Sequence, residues 1–230
     1  VIPPVITIGM SIYYGQFYNP AVILLNIGIL FWAIRLTYNW ARLWTDFSHQ
    51  DWRYVMIREK TPKIWLFSNL MGIHVFPTLI VFIQLIGAIF FIQNAERINL
   101  ISFAGFFIII AATIIQYVSD QQMFEFKKTI KDKIQLMDQG LWKFSRHPNY
   151  LGEVLVWFGL HLFYVSVFGL DILVFAPILM LAMFLFISIP MMEKKILRTR
   201  PHYETYQKKV SKLMFLPPKS DLNTATETKH

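Results

Sequence analysis

The chain has 230 residues, of which 55% are hydrophobic and only 16% charged, well under the quarter usual in soluble domains. A soluble fold of this size lacks the polar surface to cover so much apolar mass, so the composition excludes it and calls for a bilayer. The net charge of +8 suits orientation in a membrane and contact with anionic headgroups before nucleic acid, and the lack of cysteine excludes disulfides, thiol catalysis and thiolate metal sites.

A spanning helix needs about 20 mostly apolar residues. The first such run is Val1 to Tyr18, opened by Pro3-Pro4 and closed by the Asn19-Pro20 turn. It starts without a basic leader, which predicts a chain that begins inside or just before a membrane helix. Ala21–Trp40 is the second span. Ile64–Gln93 is the third, overlong and interrupted by Pro77, which predicts a kink. Asn99–Tyr117 is the fourth, with Ser119–Lys133 continuing it into water. Leu151–Phe168 is the fifth, and Leu170–Met192 the sixth, with Pro177 and Pro190 as further kinks. Pro201–Leu213 predicts a short amphipathic helix with Tyr203, Tyr206 and Val210 on one face. The expectation is an all-α, polytopic membrane bundle of six to seven helices. One catalytic domain covers residues 1–216, and residues 217–230 form a disordered tail.

Of the 22 Lys and Arg, only Arg97 falls outside the loops that alternate onto one side of six spans. By the positive-inside rule that side is cytoplasmic. Charges at membrane depth cost about 3 kcal/mol or more each, so those near the span ends carry information. Arg35, Arg42, Asp120, Glu153 and Glu193 stand there, and a shared polar cavity would explain them; the plain alternative is snorkelling interfacial side chains.

Two segments are densest in such residues. In Gln139–His161, QGLWKFSRHPNYLGEVLVWFGLH, Pro148 suits a first helical turn, and Asn149, Glu153, Trp157 and His161 recur every four residues on one face. A helix N-terminus beside Arg146 and His147 is a ready anion site, suited to a phosphate or carboxylate. His161 alone reads as a hydrogen-bonded interior residue, and no spacing resembles a metal site. In the second segment, RLTYNWARLW, Arg35, Asn39 and Arg42 share a helical stripe. Tyr38 and Trp40 suit an aromatic belt equally well, and Asp51 of the following DWRY suits a helix cap.

SRHPNYLGE at 145–153, with QGLW before it and VWFG after it, resembles the C-terminal signature of the steroid 5-alpha-reductase superfamily. RLTYNWAR and DWRY resemble its DUF1295 group, and the likeness runs from about Arg35 to Pro218. Isoprenylcysteine carboxyl methyltransferases carry a related RHPxYxG segment. The resemblance implies an NADPH-dependent reductase that gives a hydride to a polarised carbon–carbon double bond in a lipid-soluble substrate. It implies a membrane location, the endoplasmic reticulum in a eukaryote or the inner membrane in a bacterium. It implies cofactor contacts from Asp120, Lys127, Arg146, His147, Asn149, Tyr150 and Glu153, with Arg198 and Arg200 as further phosphate partners. Tyr38 would be the catalytic tyrosine, with Arg35, Asn39 and Trp157 toward the substrate. The glutamate that pairs with this tyrosine in the steroid reductases has no match in residues 1–30, so a preceding segment carries it or the chemistry differs. The C-terminal EKKILRTRPHYETYQKKV reads closer to the methyltransferases. This keeps open an S-adenosylmethionine-dependent methyltransferase, with Glu153 or Glu193 on its cofactor, and a non-enzymatic lipid-binding protein.

Overall fold

The computed structural model describes residues 2–44, 46, 50–130, 132 and 134–219. It is an all-helical membrane bundle, and five of its helical runs are long and apolar enough to span a bilayer. These are Pro20–Leu43, Pro62–Asn94, Leu100–Thr129, Pro148–Phe168 and Ile172–Thr199. Helix α1 (Ile2–Tyr13) has 12 residues, about 18 Å of rise, which falls short of the hydrocarbon core. The first expected span, drawn through to Tyr18, stops early because Gly15 takes a positive φ of 68° and turns the chain. Asn19 then caps α2 (Pro20–Leu43), its side chain accepting from the Ala21 amide at 2.9 Å.

Helix α3 (Trp52–Lys60) starts on Asp51, which accepts from the Arg53 amide at 2.8 Å, as DWRY predicts. The third spanning run comprises α4 (Trp65–Asn69), a π-helical turn at Leu70–Val75 and α5 (Phe76–Asn94). The last comprises α8 (Phe175–Met183), a π turn at Phe184–Ser188 and α9 (Ile189–Thr199). Both π turns share one cause. Pro77 and Pro190 lack an amide hydrogen, and their rings crowd the carbonyl four residues back. The helix widens there, and the residue just before each proline donates five residues back, Phe76 to Met71 and Ile189 to Phe184. Pro177 lies in the first turn of α8 and needs no such adjustment.

Helix α6 (Leu100–Thr129) runs on past its apolar part but ends at Thr129, short of the expected Lys133, and α7 (Pro148–Phe168) begins at Pro148. Helix α10 (Tyr203–Lys209) buries Tyr203 and Tyr206 with Val210, the predicted face. Of the expected polar tail, residues 220–230 lie outside the described residues, as does Lys133.

The chain divides into two compact units, Val1–Phe107 with Trp157–Met180, and Ile108–Val156 with Leu181–His230. In the first, Trp32 meets Trp157 edge-on at 5.2 Å, and Gln84 donates to the Ala176 carbonyl, satisfying an amide that burial would otherwise strand. In the second, α6 and α7 approach closely at Gly152. A Cβ there would stand 2.8 Å from the Ala112 carbonyl oxygen, so only glycine permits the crossing.

Candidate anion site

The segment between α6 and α7 is built by the QGLW motif. Gly140 adopts φ +59°, which turns the chain back onto α6. The Leu141 amide donates to Gln122 Oε1 at 3.0 Å, and Trp142 Nε1 donates to the Ser119 carbonyl at 3.1 Å. Tyr206 of α10 donates to the Trp142 carbonyl. The apolar and aromatic residues of this motif thus dock a loop, and Trp142 also reaches the cavity described below.

SRHPNY follows. Ser145 Oγ accepts from the His147 amide and donates to the Leu213 carbonyl at 2.7 Å. The Arg146 amide donates to the Ser211 carbonyl at 2.9 Å, and its Nη1 to the Gln207 carbonyl at 2.6 Å. Pro148 then opens α7, so the two basic residues sit at its N-terminus, where the helix dipole favours anions.

Glu193 of α9 organises this corner. Its Oε1 lies 3.0 Å from Arg146 Nε and 3.0 Å from His147 Nε2, and accepts from the Tyr203 hydroxyl at 3.3 Å. Its Oε2 accepts from Gln207 Nε2 at 2.8 Å. Arg146, His147 and Glu193 are all buried. A buried ion pair is tolerable only when its other lone pairs and protons find partners; the two Glu193 oxygens face four protein groups, and Arg146 Nη1 meets the Gln207 carbonyl. Burial pushes the His147 imidazole below its ordinary range, more strongly than the Glu193 carboxylate raises it. Burial likewise pushes the Tyr203 and Tyr206 phenols well above theirs, so both are protonated donors.

A cavity of about 380 Å³ opens beside this corner. Its walls come from α6 (Met123, Lys127), the loop (Met137, Trp142, Arg146, His147), the start of α7 (Asn149, Tyr150) and α9 to α10 (Met192, Lys195, Thr199, Arg200, Tyr203, Tyr206). Tyr150 stacks flat on His147, with ring centroids 5.4 Å apart. Among the described residues, the lining holds Lys127, Arg146, Lys195 and Arg200 and no carboxylate. Glu193 lies behind the wall, paired with Arg146. The cleft has basic, aromatic and thioether walls, chemistry suited to a phosphate carried on a flat, partly apolar group.

Of the nine expected cofactor contacts, Lys127, Arg146, His147, Asn149, Tyr150 and Arg200 line this one cavity. Asp120, Glu153 and Arg198 are not part of its wall. Glu153 instead accepts from Gln116 Nε2 at 2.6 Å, one turn before Asp120 on α6. Arg198 is exposed. Lys195, also exposed, lines the cavity instead, with Met192, Ile196 and Thr199 at helical spacing on the same side of α9. Arg35, Tyr38, Asn39 and Trp157 belong to the other compact unit. There Arg35 is buried, and half-exposed Tyr38 lies under the Arg42 guanidinium at 5.4 Å, while Arg42 Nη2 donates to Asn39 at 2.8 Å. Among the described residues, the Nε2 of buried His161 has no hydrogen-bond partner, unlike the hydrogen-bonded interior histidine expected there.

No solved structure matches the chain. An uncharacterised protein of Schizosaccharomyces pombe is 26% identical over 231 aligned positions, which take in 87% of this chain. The chain spans 66% of that relative's length, just under two thirds. The profile described as "Protein of unknown function (DUF1295)" matches residues 2–210, nearly all of the described chain. The chain therefore belongs to the DUF1295 family, a steroid 5-alpha-reductase-like group of membrane proteins.

Proposed function

We propose that this protein is an NADPH-dependent membrane reductase of a carbon–carbon double bond in a lipid enone, with the cavity beside Glu193 holding the cofactor's phosphates. The observation that carries the reading is the cavity lining, which among the described residues has four cationic side chains and no carboxylate. Lys127, Lys195 and Arg200 would meet phosphate oxygens, and Asn149 and Tyr150 would meet the sugar and base through polar and stacking contacts. Arg146, already paired with Glu193, contributes orientation more than charge. Bound NADPH would supply the hydride for the β-carbon of the enone, and a proton completes reduction at the α-carbon. Tyr38 is the proposed hydrogen-bond donor to the carbonyl, with Arg35, Asn39 and Trp157 toward the substrate. Asp120 and Glu153 would orient polar parts of the cofactor. The basic loops and C-terminus would face the cytoplasm, where NADPH is available.

An S-adenosylmethionine site fits less well. That cofactor carries a sulfonium and an ammonium, to which a lining with four cations and, among the described residues, no carboxylate offers repulsion and no anionic partner. Glu193, a candidate for that role by sequence, already serves four protein groups.

Thermal shift in mild detergent tests the reading, since a ligand that binds only the folded state must raise its apparent stability. NADPH should raise the melting temperature and S-adenosylmethionine should not. Glu153→Ala should abolish the NADPH shift. A shift with S-adenosylmethionine alone would transfer the assignment to the methyltransferases, and a shift with neither would leave a lipid-binding protein.

A further inference from the structure

Beyond the α10 helix the chain doubles back along the entry to α7. Ser145 and Ser211 form a parallel bridge, Ser145 Oγ donates to the Leu213 carbonyl, and the Leu216 amide donates to the Phe144 carbonyl at 3.2 Å. Leu213 is 5% exposed and packs with Leu151 of α7 and Ile189 of α9. Leu151 lies in the first turn of a spanning helix, so this contact pins the strap at the level where the span leaves the bilayer core.

The three residues that follow turn outward. Met214 is 59% exposed, Phe215 37% and Leu216 54%, and Phe144 beside them is 40% exposed. Lys143 and Lys212, both exposed, flank this apolar tip. No carboxylate stands between residues 139 and 152 or between 205 and 220. Apolar side chains ringed by lysines, held at the end of a membrane span, match the boundary between acyl chains and anionic headgroups.

We propose that the strap at Lys212–Leu216, with Lys143 and Phe144, is an interfacial anchor. Phe144, Met214, Phe215 and Leu216 dip into the acyl boundary of the leaflet, and Lys143 and Lys212 bind anionic lipid headgroups. The apolar tip alone suits any leaflet, whereas the lysines select a negatively charged one. The anchor does not depend on the identity of the cofactor. It holds the strap that closes on Ser145 and Arg146, and so ties one wall of the cavity to the bilayer surface.

Because the chain has no cysteine, single-site spin labelling needs no background removal. The full chain carrying Phe215→Cys, labelled with a nitroxide, is reconstituted in nanodiscs of phosphatidylcholine with or without phosphatidylserine. Collisions with oxygen and with a water-soluble nickel chelate report depth. The label at 215 should be more accessible to oxygen than to nickel, and more so with phosphatidylserine present, while a label at Lys208→Cys on α10 should stay aqueous. In Phe215→Cys chains, adding Lys143→Glu and Lys212→Glu should remove the phosphatidylserine dependence and leave the depth in phosphatidylcholine. A label at 215 that favours nickel in both discs would overturn the proposal. So would one shielded from both probes, which would point to protein covering the tip, such as a second copy of the chain.

Discussion

Arg146 at the entry to α7 and Glu193 in α9 form an ion pair of 3.0 Å with both side chains less than a tenth exposed. Neither residue is close to the other in sequence. The pair fastens the C-terminal helices to the SRHPNY loop, and it shapes one wall of the cavity without spending its charge on a ligand.

Breaking the pair from one side should therefore cost more than removing it whole. Arg146→Met or Glu193→Met alone should lower stability by about 3–5 kcal/mol, because each strands a buried charge. The double replacement should recover much of that loss. Thermal unfolding in detergent across the four members of the cycle measures the coupling, and additive losses would contradict the pairing.

His147 makes stability depend on pH in a definite direction. Burial holds its folded-state pKa below the ordinary 6.5, so the unfolded chain binds the proton first as pH falls. Stability should be fully present above pH 6.5 and decline from there down to the lowered folded value. His147→Gln, which cannot charge, should flatten that part of the profile. Melting temperatures between neutral and mildly acidic pH check this against the parent protein.

Cavity charge separates two lysine and arginine neighbours on α9. Lys195→Glu should weaken NADPH binding about ten- to a hundredfold, the effect of losing a charge-assisted hydrogen bond worth about 1.5–3 kcal/mol. Arg198→Glu, on the outer face, should leave affinity within about twofold, since a screened surface charge contributes little. Titration at two ionic strengths should also show binding weakening as salt rises. Equal effects of both substitutions would place the phosphates elsewhere.

Gly152 tests the crossing of α6 and α7. Gly152→Ala puts a methyl group 2.8 Å from the Ala112 carbonyl oxygen and against Gln116, which holds Glu153. Overpacking of this kind costs about 1–3 kcal/mol. The variant should melt earlier than the parent and bind NADPH less tightly. Gly9→Ala, where a Cβ meets nothing, should change neither.

Local physics made much of the fold readable in advance. Apolar runs long enough to cross a bilayer mark the spanning helices, Asp51 caps by side-chain chemistry, and Pro148 opens a helix because it needs no amide partner there. Tyr203, Tyr206 and Val210 repeat at helical spacing and share a buried cluster. The first run was harder, because apolarity continues past Tyr13 while Gly15 bends the chain.

The site followed less directly. Residues in SRHPNY are consecutive, so their gathering at one helix entry is a local matter. The partner of Arg146 and the cation that replaces Arg198 come from α9, and the π turn at Phe184–Ser188 adds a residue to the helix just before it. That extra residue rotates every side chain beyond it by roughly 100° relative to a regular α-helix, since 3.6 residues make a turn. The order of amino acids alone decided that basic residues would gather at the start of a spanning helix. Only the packed helices, with their phase reset by a proline, decided that Lys195 faces the cavity and that Glu193 answers Arg146.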